Sequence, residues 1–400
     1  MQSLIKRKWD VAVFLLPALS ILTQWISIAG IRLSWVLSIL LLAVVLFKLP
    51  VLLRYKAATL LAIFTIVQPV ISLLFIDASI FSFSLYASLI MGMAYLLFIL
   101  LLDKKMFYVF LGGCVFACAV FAVWGCIETF TGYYLLFDNE AFFGRTNSMG
   151  LAYPGVAFAN TNDLAQFLVM LLPFASCILL PKRKMLYVAL MLLSSFVILQ
   201  TESRLALLAF VGTVVVVLLL QLVITKCYRK ARCIVFIMLA AILALVAIEV
   251  VTGKISTVVL KSLVVETDAD YFSAREIIYR NLINAALQHP FGAFGLSYTV
   301  QDYMPHNLFL FILCDYGWLC AVLFLLLLAF VIVKLIKRLS TQREDLMSLV
   351  MLVSVCFFAL TSCISSCNEQ RKVTWLFLGC MLRWVYLVIG EKRSGQEVKA

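Results

Sequence analysis

The chain has 400 residues, of which 65% are hydrophobic and only 13% carry a charge. A soluble domain has roughly 45–50% apolar and about 25% charged residues, so this composition excludes a water-soluble globular protein. The formal net charge of +12 does not indicate nucleic-acid binding, because the basic residues lie in short clusters between apolar runs. Such clusters are typical of the loops that set the topology of a membrane protein.

Apolar runs follow one another along the whole chain, each close to the roughly 20 residues that a transmembrane helix needs. We therefore predict an all-α polytopic membrane protein with about twelve transmembrane helices, forming a single membrane domain over residues 1–400. The predicted spans are 9–30, 33–53, 57–76, 80–102, 106–127, 162–181, 184–200, 203–225, 232–251, 306–333, 346–366 and 372–390.

Lysine and arginine are distributed unequally between the two sides of the predicted membrane. Of the 32 basic residues, 22 lie at the termini and in the even-numbered connections, nine lie in the odd-numbered connections, and Arg383 lies within the last span. This asymmetry predicts that both termini are cytoplasmic. The two long connections, 128–161 and 252–305, are then extracytoplasmic loops. Long loops in a compact protein are usually functional, so we expect the chemistry on this side.

The second long loop contains a predicted surface helix at about 273–288. Ser273 and Glu276 match a capping box, and His289-Pro290 ends the helical pattern. Apolar and polar residues separate onto two faces of this helix, which predicts that it is amphipathic and lies at the membrane surface or over the bundle. Arg275 falls on the apolar face, where a bound anion would stabilise it. The alternatives are snorkelling to lipid headgroups or an ion pair with a nearby aspartate.

Two further polar motifs open predicted spans at the outer side. Glu202-Ser203-Arg204 precedes the eighth span, and Pro305-His306-Asn307 precedes the tenth. The partially positive N-termini of these helices would point outward and favour an anionic ligand. A partly desolvated histidine there can accept a proton near neutral pH. A capping role for His306 and an interfacial anchor for Arg204 are the structural alternatives.

These residues predict one site for a phosphate-bearing ligand on the outer side. His306 is the predicted catalytic base, and Arg204 and Arg275 are the predicted ligand-binding residues. The secondary candidates are Arg145, Arg280 and Asn307. Residues 159–163 (ANTND) are predicted to cap the sixth span. No metal or other cofactor is predicted, because the cysteines fall mostly inside apolar runs without the spacing of metal ligands.

Three stretches resemble the O-antigen ligase and polysaccharide polymerase superfamily of bacterial membrane glycosyltransferases. The first is 158–165 (FANTNDLA) and the second is 200–206 (QTESRLA). The third runs from Arg275 through Tyr279, Pro290 and the glycines 292 and 295 to His306-Asn307. The sequence Gly292-Ala293-Phe294-Gly295 departs from the strict Gly-x-Gly of the family. The resemblance covers roughly residues 140–335.

The resemblance implies metal-independent transfer of a glycan from an undecaprenyl-pyrophosphate carrier at the outer face of the bacterial plasma membrane. By the roles known in that family, Arg204 and Arg275 bind the pyrophosphate, and His306 activates the acceptor hydroxyl. The implied partners are the lipid-linked donor, a glycan acceptor, membrane lipids and a regulator of chain length. No nucleic acid is expected.

The most favoured activity is polymerisation of lipid-linked repeat units into a surface polysaccharide such as O-antigen or capsule. The first alternative is a ligase that transfers the finished glycan to lipid A core or to protein. The second is a multi-pass transporter or flippase. Transporters keep ionisable or broken-helix features near the middle of the membrane. The predicted spans contain few charges, mainly Glu249, Asp315 and Arg383, so a transporter is the less favoured alternative.

Overall fold

The computed structural model describes residues 2–23, 26–28, 31–74, 83–134, 146–147, 149–158, 160–225, 269–295, 307–364 and 372–397. Within these residues the protein is almost entirely helical, as predicted, and one short antiparallel hairpin pairs Ser27 with Arg32 and Ile28 with Ile31. In chain order the elements are α1 (Gln2–Leu22), β1 (Ser27–Ile28), β2 (Ile31–Arg32), α2 (Leu33–Phe47), α3 (Leu49–Leu52), α4 (Lys56–Leu73), α5 (Phe83–Leu101), α6 (Lys104–Thr131), α7 (Thr161–Leu171), α8 (Ala175–Ile178), α9 (Lys184–Gln200), α10 (Arg204–Thr225), α11 (Ala269–Gln288), α12 (Leu308–Thr341), α13 (Leu346–Cys356), α14 (Phe358–Thr361) and α15 (Lys372–Glu397).

Helices occupy predicted spans one to eight and ten to twelve, while the ninth, 232–251, lies outside the described residues. Several spans are interrupted. The second divides into α2 and α3 beside Pro50, and a 3-10 turn containing Pro173 separates α7 from α8. Four described stretches are long and apolar enough to cross a membrane. These stretches are Lys104–Thr131, Thr161–Ile178, Leu308–Thr341 and Lys372–Gly390. The total of about twelve spans stays a prediction.

The chain divides into two compact units by its internal contacts. The first unit is formed from Met1–Cys114, Ala269–Lys334 and Ser365–Ala400. In it, α5 packs against α2 and α15. Gly92 allows the close approach of α15, because a Cβ at that position would lie 2.1 Å from Cδ1 of Trp375. Small residues at helix contacts are typical of membrane proteins, whose helices associate through close van der Waals packing.

The second unit is formed from Val115–Asp268 and Leu335–Ile364. In it, α10 packs against α7, α9 and α13. The side chain of Gln166 on α7 is fully buried and donates from Nε2 to the carbonyl of Thr361 at 3.0 Å. Gly212 on α10 lies against the ring of Phe357, leaving no room for a Cβ. This unit therefore combines close contacts at small residues with buried polar bonds, as expected of helices packed in lipid.

The surface of α12 shows what surrounds these helices. Trp318, Leu319, Val322, Leu325 and Leu326 are all exposed, and they recur at intervals of three or four residues along one face. A continuous apolar stripe on an exposed helix face would be unfavourable in water. The stripe is accounted for by contact with lipid, which is consistent with the membrane class predicted from composition.

Candidate functional site

The structure describes the predicted site residues to different extents. Arg204 is the first residue of α10 in the second unit, and Arg275 lies in α11 of the first unit. Their backbones are described but their side chains are not. Asn307 directly precedes α12, and Arg280 is an exposed residue of α11. His306 and Arg145 lie outside the described residues.

The helix that carries Arg275 begins earlier than predicted. It starts at Ala269 rather than near Ser273 and ends at Gln288. Arg275 is therefore in the second turn, so repulsion by the positive helix terminus does not explain its placement. The buried side of α11 is formed by Leu282, Ala285 and Ala286, whereas Ile283 is exposed.

Helices α11 and α12 lie side by side and run in the same direction. The Cys314 thiol donates to the carbonyl of Leu282 at 3.1 Å. One turn further on, the Trp318 indole donates from Nε1 to the carbonyl of Ala286 at 3.2 Å. Both pairs are 32 positions apart in the chain. An equal offset at successive turns indicates parallel helices in a fixed register.

This register relates two of the predicted site positions. Going back seven residues from Leu282 leads to position 275, and going back seven residues from Cys314 leads to Asn307. Seven residues of helix cover about 10.5 Å on both sides of the pair. Position 275 of α11 therefore lies at about the same level as Asn307, at the end of α12 that follows His306. The first unit brings these two motif segments together.

A break in α12 and the turn after α11 fix this register. Gly317 has φ 79° and ψ 176°, so the regular hydrogen bonding of α12 is interrupted there. The turn that contains Pro290 satisfies the freed backbone groups. The amide of Trp318 donates to the carbonyl of Pro290 at 3.0 Å, and the amide of Ala293 donates to the carbonyl of Cys314 at 2.9 Å. We call this contact between residues 290–293 and the break of α12 at Gly317 the Gly317 joint.

The glycines of the joint are required by close backbone contact. Gly292 has φ +78°, and a Cβ there would lie 2.5 Å from the amide nitrogen of Gly317. A Cβ at Gly317 would in turn lie 2.5 Å from the carbonyl oxygen of Pro290. The proline and the first glycine of the family motif thus have a structural explanation in this chain, because they pack against the broken helix.

Sequence reasoning missed a second support of the joint. The amide of Gln68 on α4 donates to the carbonyl of Phe291. The ring of Phe294 contacts Tyr86 on α5 and Tyr316 on α12, with centroid distances of 5.9 and 5.6 Å. The sequence signal for this contact is a single glutamine within an apolar span, because a side-chain amide there needs a hydrogen-bond partner within the protein.

Asn307 acts as the N-cap of α12. Its side-chain oxygen accepts hydrogen bonds from the backbone amides of Phe309 at 3.0 Å and Leu310 at 3.2 Å. Capping fixes where α12 begins. The predicted capping by residues 159–163 is also present, because Asn160 accepts from the amide of Asn162 at 2.9 Å.

In the second unit, residues 146–147 and 149–158 lie against the turn that precedes Arg204. The side chain of Asn147 donates to Gln200, which is almost fully buried. The phenol of Tyr153 donates to the carboxylate of Glu202. The turn before α10 is therefore held by the side chains of Asn147 and Tyr153, which are about 50 positions away in the sequence.

An apolar cavity in the first unit extends along α12 from its first residue. Its volume is about 510 Å³, including the part open to the outside. It lies between α4, α12 and α15, and its lining is almost entirely apolar. The lining residues are Thr65, Leu308, Ile312, Tyr316, Cys320, Leu323, Phe324, Thr374, Trp375 and Leu378.

Among the residues that the structure describes, no group of three or more His, Cys, Asp or Glu side chains could hold a metal ion. No curated protein matches the chain. Residues 189–325 match the family described as O-antigen ligase. This segment contains Arg204, Arg275, His306 and the Gly317 joint, and it is about a third of the chain. The resemblance is thereby confirmed over this segment, because residues 189–325 are similar to the family described as O-antigen ligase.

Proposed function

We propose that the protein polymerises undecaprenyl-pyrophosphate-linked oligosaccharide repeat units into a surface polysaccharide at the outer face of the bacterial inner membrane. The observation that carries this proposal is the family match over 189–325, combined with the register that brings position 275 level with Asn307. Glycosyl transfer of the ligase and polymerase type is what the family shares. Polymerisation, the prenyl donor and cytoplasmic termini are part of the proposal.

In the proposed reaction, a hydroxyl of the acceptor sugar attacks the anomeric carbon of the donor glycan. The bond between that carbon and the phosphate oxygen breaks, and the pyrophosphate leaves with the electron pair. His306 accepts the proton of the attacking hydroxyl. Arg204 and Arg275 bind the pyrophosphate and stabilise its growing charge, since fixed cations are most effective where charge develops in the transition state.

The fold of the first unit supports this assignment in two ways. The N-terminus of α12, which directly follows His306 in the sequence, carries a partial positive charge that favours an anionic group there. The apolar cavity begins at Leu308 and continues along α12. In the proposed complex this cavity receives part of the prenyl chain of a donor whose pyrophosphate lies at the start of the helix.

A ligase remains the second candidate, because the matching family is described as O-antigen ligase. A ligase uses the same donor chemistry but transfers a finished glycan to a different acceptor. The two activities give different products in a deletion strain. Single repeats that are no longer extended indicate a polymerase, whereas long carrier-linked chains that accumulate indicate a ligase. The comparison gives no support to a transporter.

The site assignment is tested by complementing the deletion strain with H306A and R275K. We expect H306A to abolish polymer formation while the protein stays in the membrane. R275K keeps the charge but loses the planar guanidinium that binds a phosphate through two hydrogen bonds, so polymer should decrease sharply. H289A and R183K are the matched controls and should leave the polysaccharide profile unchanged. Long-chain polysaccharide at the normal level in H306A would refute its catalytic role.

A further inference from the structure

Two backbone positions of the second unit adopt a conformation that their side chains disfavour. Val156 has φ 52° and Glu202 has φ 53°, and both are left-handed. For a β-branched residue such as valine this conformation is rare and costs energy. Glu202 lies in the turn that joins α9 to Arg204 at the start of α10. Strained backbone persists only where the surrounding structure imposes it, and it concentrates at functional sites.

A buried carboxylate holds the first of these positions. Glu128, in the last turn of α6, is completely buried. Its Oε2 accepts hydrogen bonds from the amide of Gly155 at 2.8 Å and from the amide of Val156 at 2.6 Å. Two hydrogen bonds to one carboxyl oxygen hold the backbone at Val156 and offset part of its strain.

A phenol holds the second position. The hydroxyl of Tyr153 donates to the carboxylate of Glu202. Tyr153 is itself fixed by Tyr134, whose hydroxyl donates to the carbonyl of Tyr153 at 2.6 Å. Burial and, to a smaller extent, the nearby Glu128 carboxylate raise the pKa of Tyr134. Its phenol therefore stays protonated, so the hydroxyl keeps its proton for this bond.

We propose that Tyr153 and Glu128 are positioning residues for Arg204. Together with Glu202 they form a chain of contacts, here called the loop clasp, that links the end of α6 to the turn before α10. The clasp holds Glu202 in its left-handed conformation and thereby fixes where α10, and with it Arg204, begins. The inference rests on the proposed function, because it assigns the clasp the task of orienting a pyrophosphate-binding arginine.

The clasp is needed because Glu202 has a more stable backbone conformation available to it. Without the bond from Tyr153, Glu202 would relax toward the right-handed region that an L-residue prefers. The start of α10 would then shift relative to the segment 146–158. Catalytic arginines are sensitive to such shifts, since a misplacement of about 1 Å can reduce a rate about 100-fold.

The test is a double-mutant cycle with purified protein, a lipid-linked donor and its acceptor, in which Y153F and R204K are measured singly and together. If Tyr153 acts through Arg204, Y153F lowers kcat/KM about tenfold in the wild-type background but less than about twofold in the R204K background. Y133F is the matched control, because Tyr133 is an exposed phenol of the same region and its side chain has no part in the clasp. Its activity should equal that of the wild type.

Equal losses from Y153F in both backgrounds would overturn the proposal, since a general structural role would be independent of Arg204. Full activity of Y153F would also overturn it. If Y153F does not fold, Y134F replaces it, because this change removes the bond to the Tyr153 carbonyl and leaves Tyr153 itself intact. A wild-type protein that is inactive with every donor and acceptor pair would refute the proposed function, and the clasp would lose its role with it.

Discussion

Replacement of Gly317 by alanine tests whether the Gly317 joint stabilises the first unit. A Cβ at this position would lie 2.5 Å from the carbonyl carbon of Phe291 and 2.5 Å from the carbonyl oxygen of Pro290. Both neighbours are backbone atoms, so no side-chain rotation can relieve the clash. The conformation at φ 79° and ψ 176° is also one that is essentially restricted to glycine.

The expected destabilisation follows from these contacts. The unfavourable conformation costs about 1–3 kcal/mol, and overpacking typically costs about 1–3 kcal/mol. Displacing the turn would also weaken the bonds from Trp318 to Pro290 and from Ala293 to Cys314, each contributing about 1 kcal/mol. We therefore expect G317A to lower the free energy of unfolding by roughly 2–8 kcal/mol.

The measurement is equilibrium unfolding of the purified protein in mixed micelles of a mild detergent and SDS, followed by circular dichroism. G390A is the matched control, because a Cβ at Gly390 would meet no heavy atom within 4 Å. Alanine should change the stability there by less than about 1 kcal/mol. P290A keeps the carbonyl that accepts from Trp318 and should also cost less than about 1 kcal/mol. A G317A protein as stable as G390A would refute the reasoning.

Two other changes probe single hydrogen bonds by the same unfolding measurement. N307A removes the cap of α12 and should destabilise the protein by about 0.5–2 kcal/mol. N307D keeps the accepting oxygen and should retain most of the stability. Equal stability of N307A and wild type would show that the cap contributes nothing. Q68L leaves the carbonyl of Phe291 without its donor and should cost about 1–3 kcal/mol. A Q68L protein as stable as the wild type would contradict this expectation.

Much of the helical content follows from the apolar runs and the basic clusters between them. The tenth span shows how far this reasoning extends. Its start was predicted at position 306 and α12 begins at Leu308, but the helix continues to Thr341. Hydropathy locates the apolar part of a helix and does not detect a polar extension beyond it. Helix ends within polar sequence depend on local capping instead.

The arrangement at the candidate site was less predictable. Nothing in the local sequence distinguishes Gly317 from a glycine that is tolerated within a regular helix, because the break depends on the turn at Pro290, which lies 27 positions earlier. The parallel register of α11 and α12 likewise depends on contacts such as Cys314 with Leu282. Periodicity assigns residues to the faces of a helix, but it does not identify the partner of each face.

Arg275 shows how the argument for a candidate residue changes once the helix bounds are known. The predicted capping box placed it in the first turn, where a cation is unfavourable, and the structure begins the helix at Ala269. The residue remains of interest because of the register with Asn307. A tertiary relationship thus supports a position that was first chosen on local electrostatics.

The length of α12 has a consequence for the depth at which the reaction would occur. If Lys334 marks the inner boundary of the hydrocarbon, as its basic neighbours predict, Asn307 lies 27 residues away, or about 40 Å along the helix. The hydrocarbon layer is only about 30 Å thick. The first two turns of α12 would then rise through the outer boundary into the layer of lipid headgroups. A pyrophosphate carried on a membrane-embedded chain resides in that same layer, so the donor would neither be lifted out of the bilayer nor drawn into it.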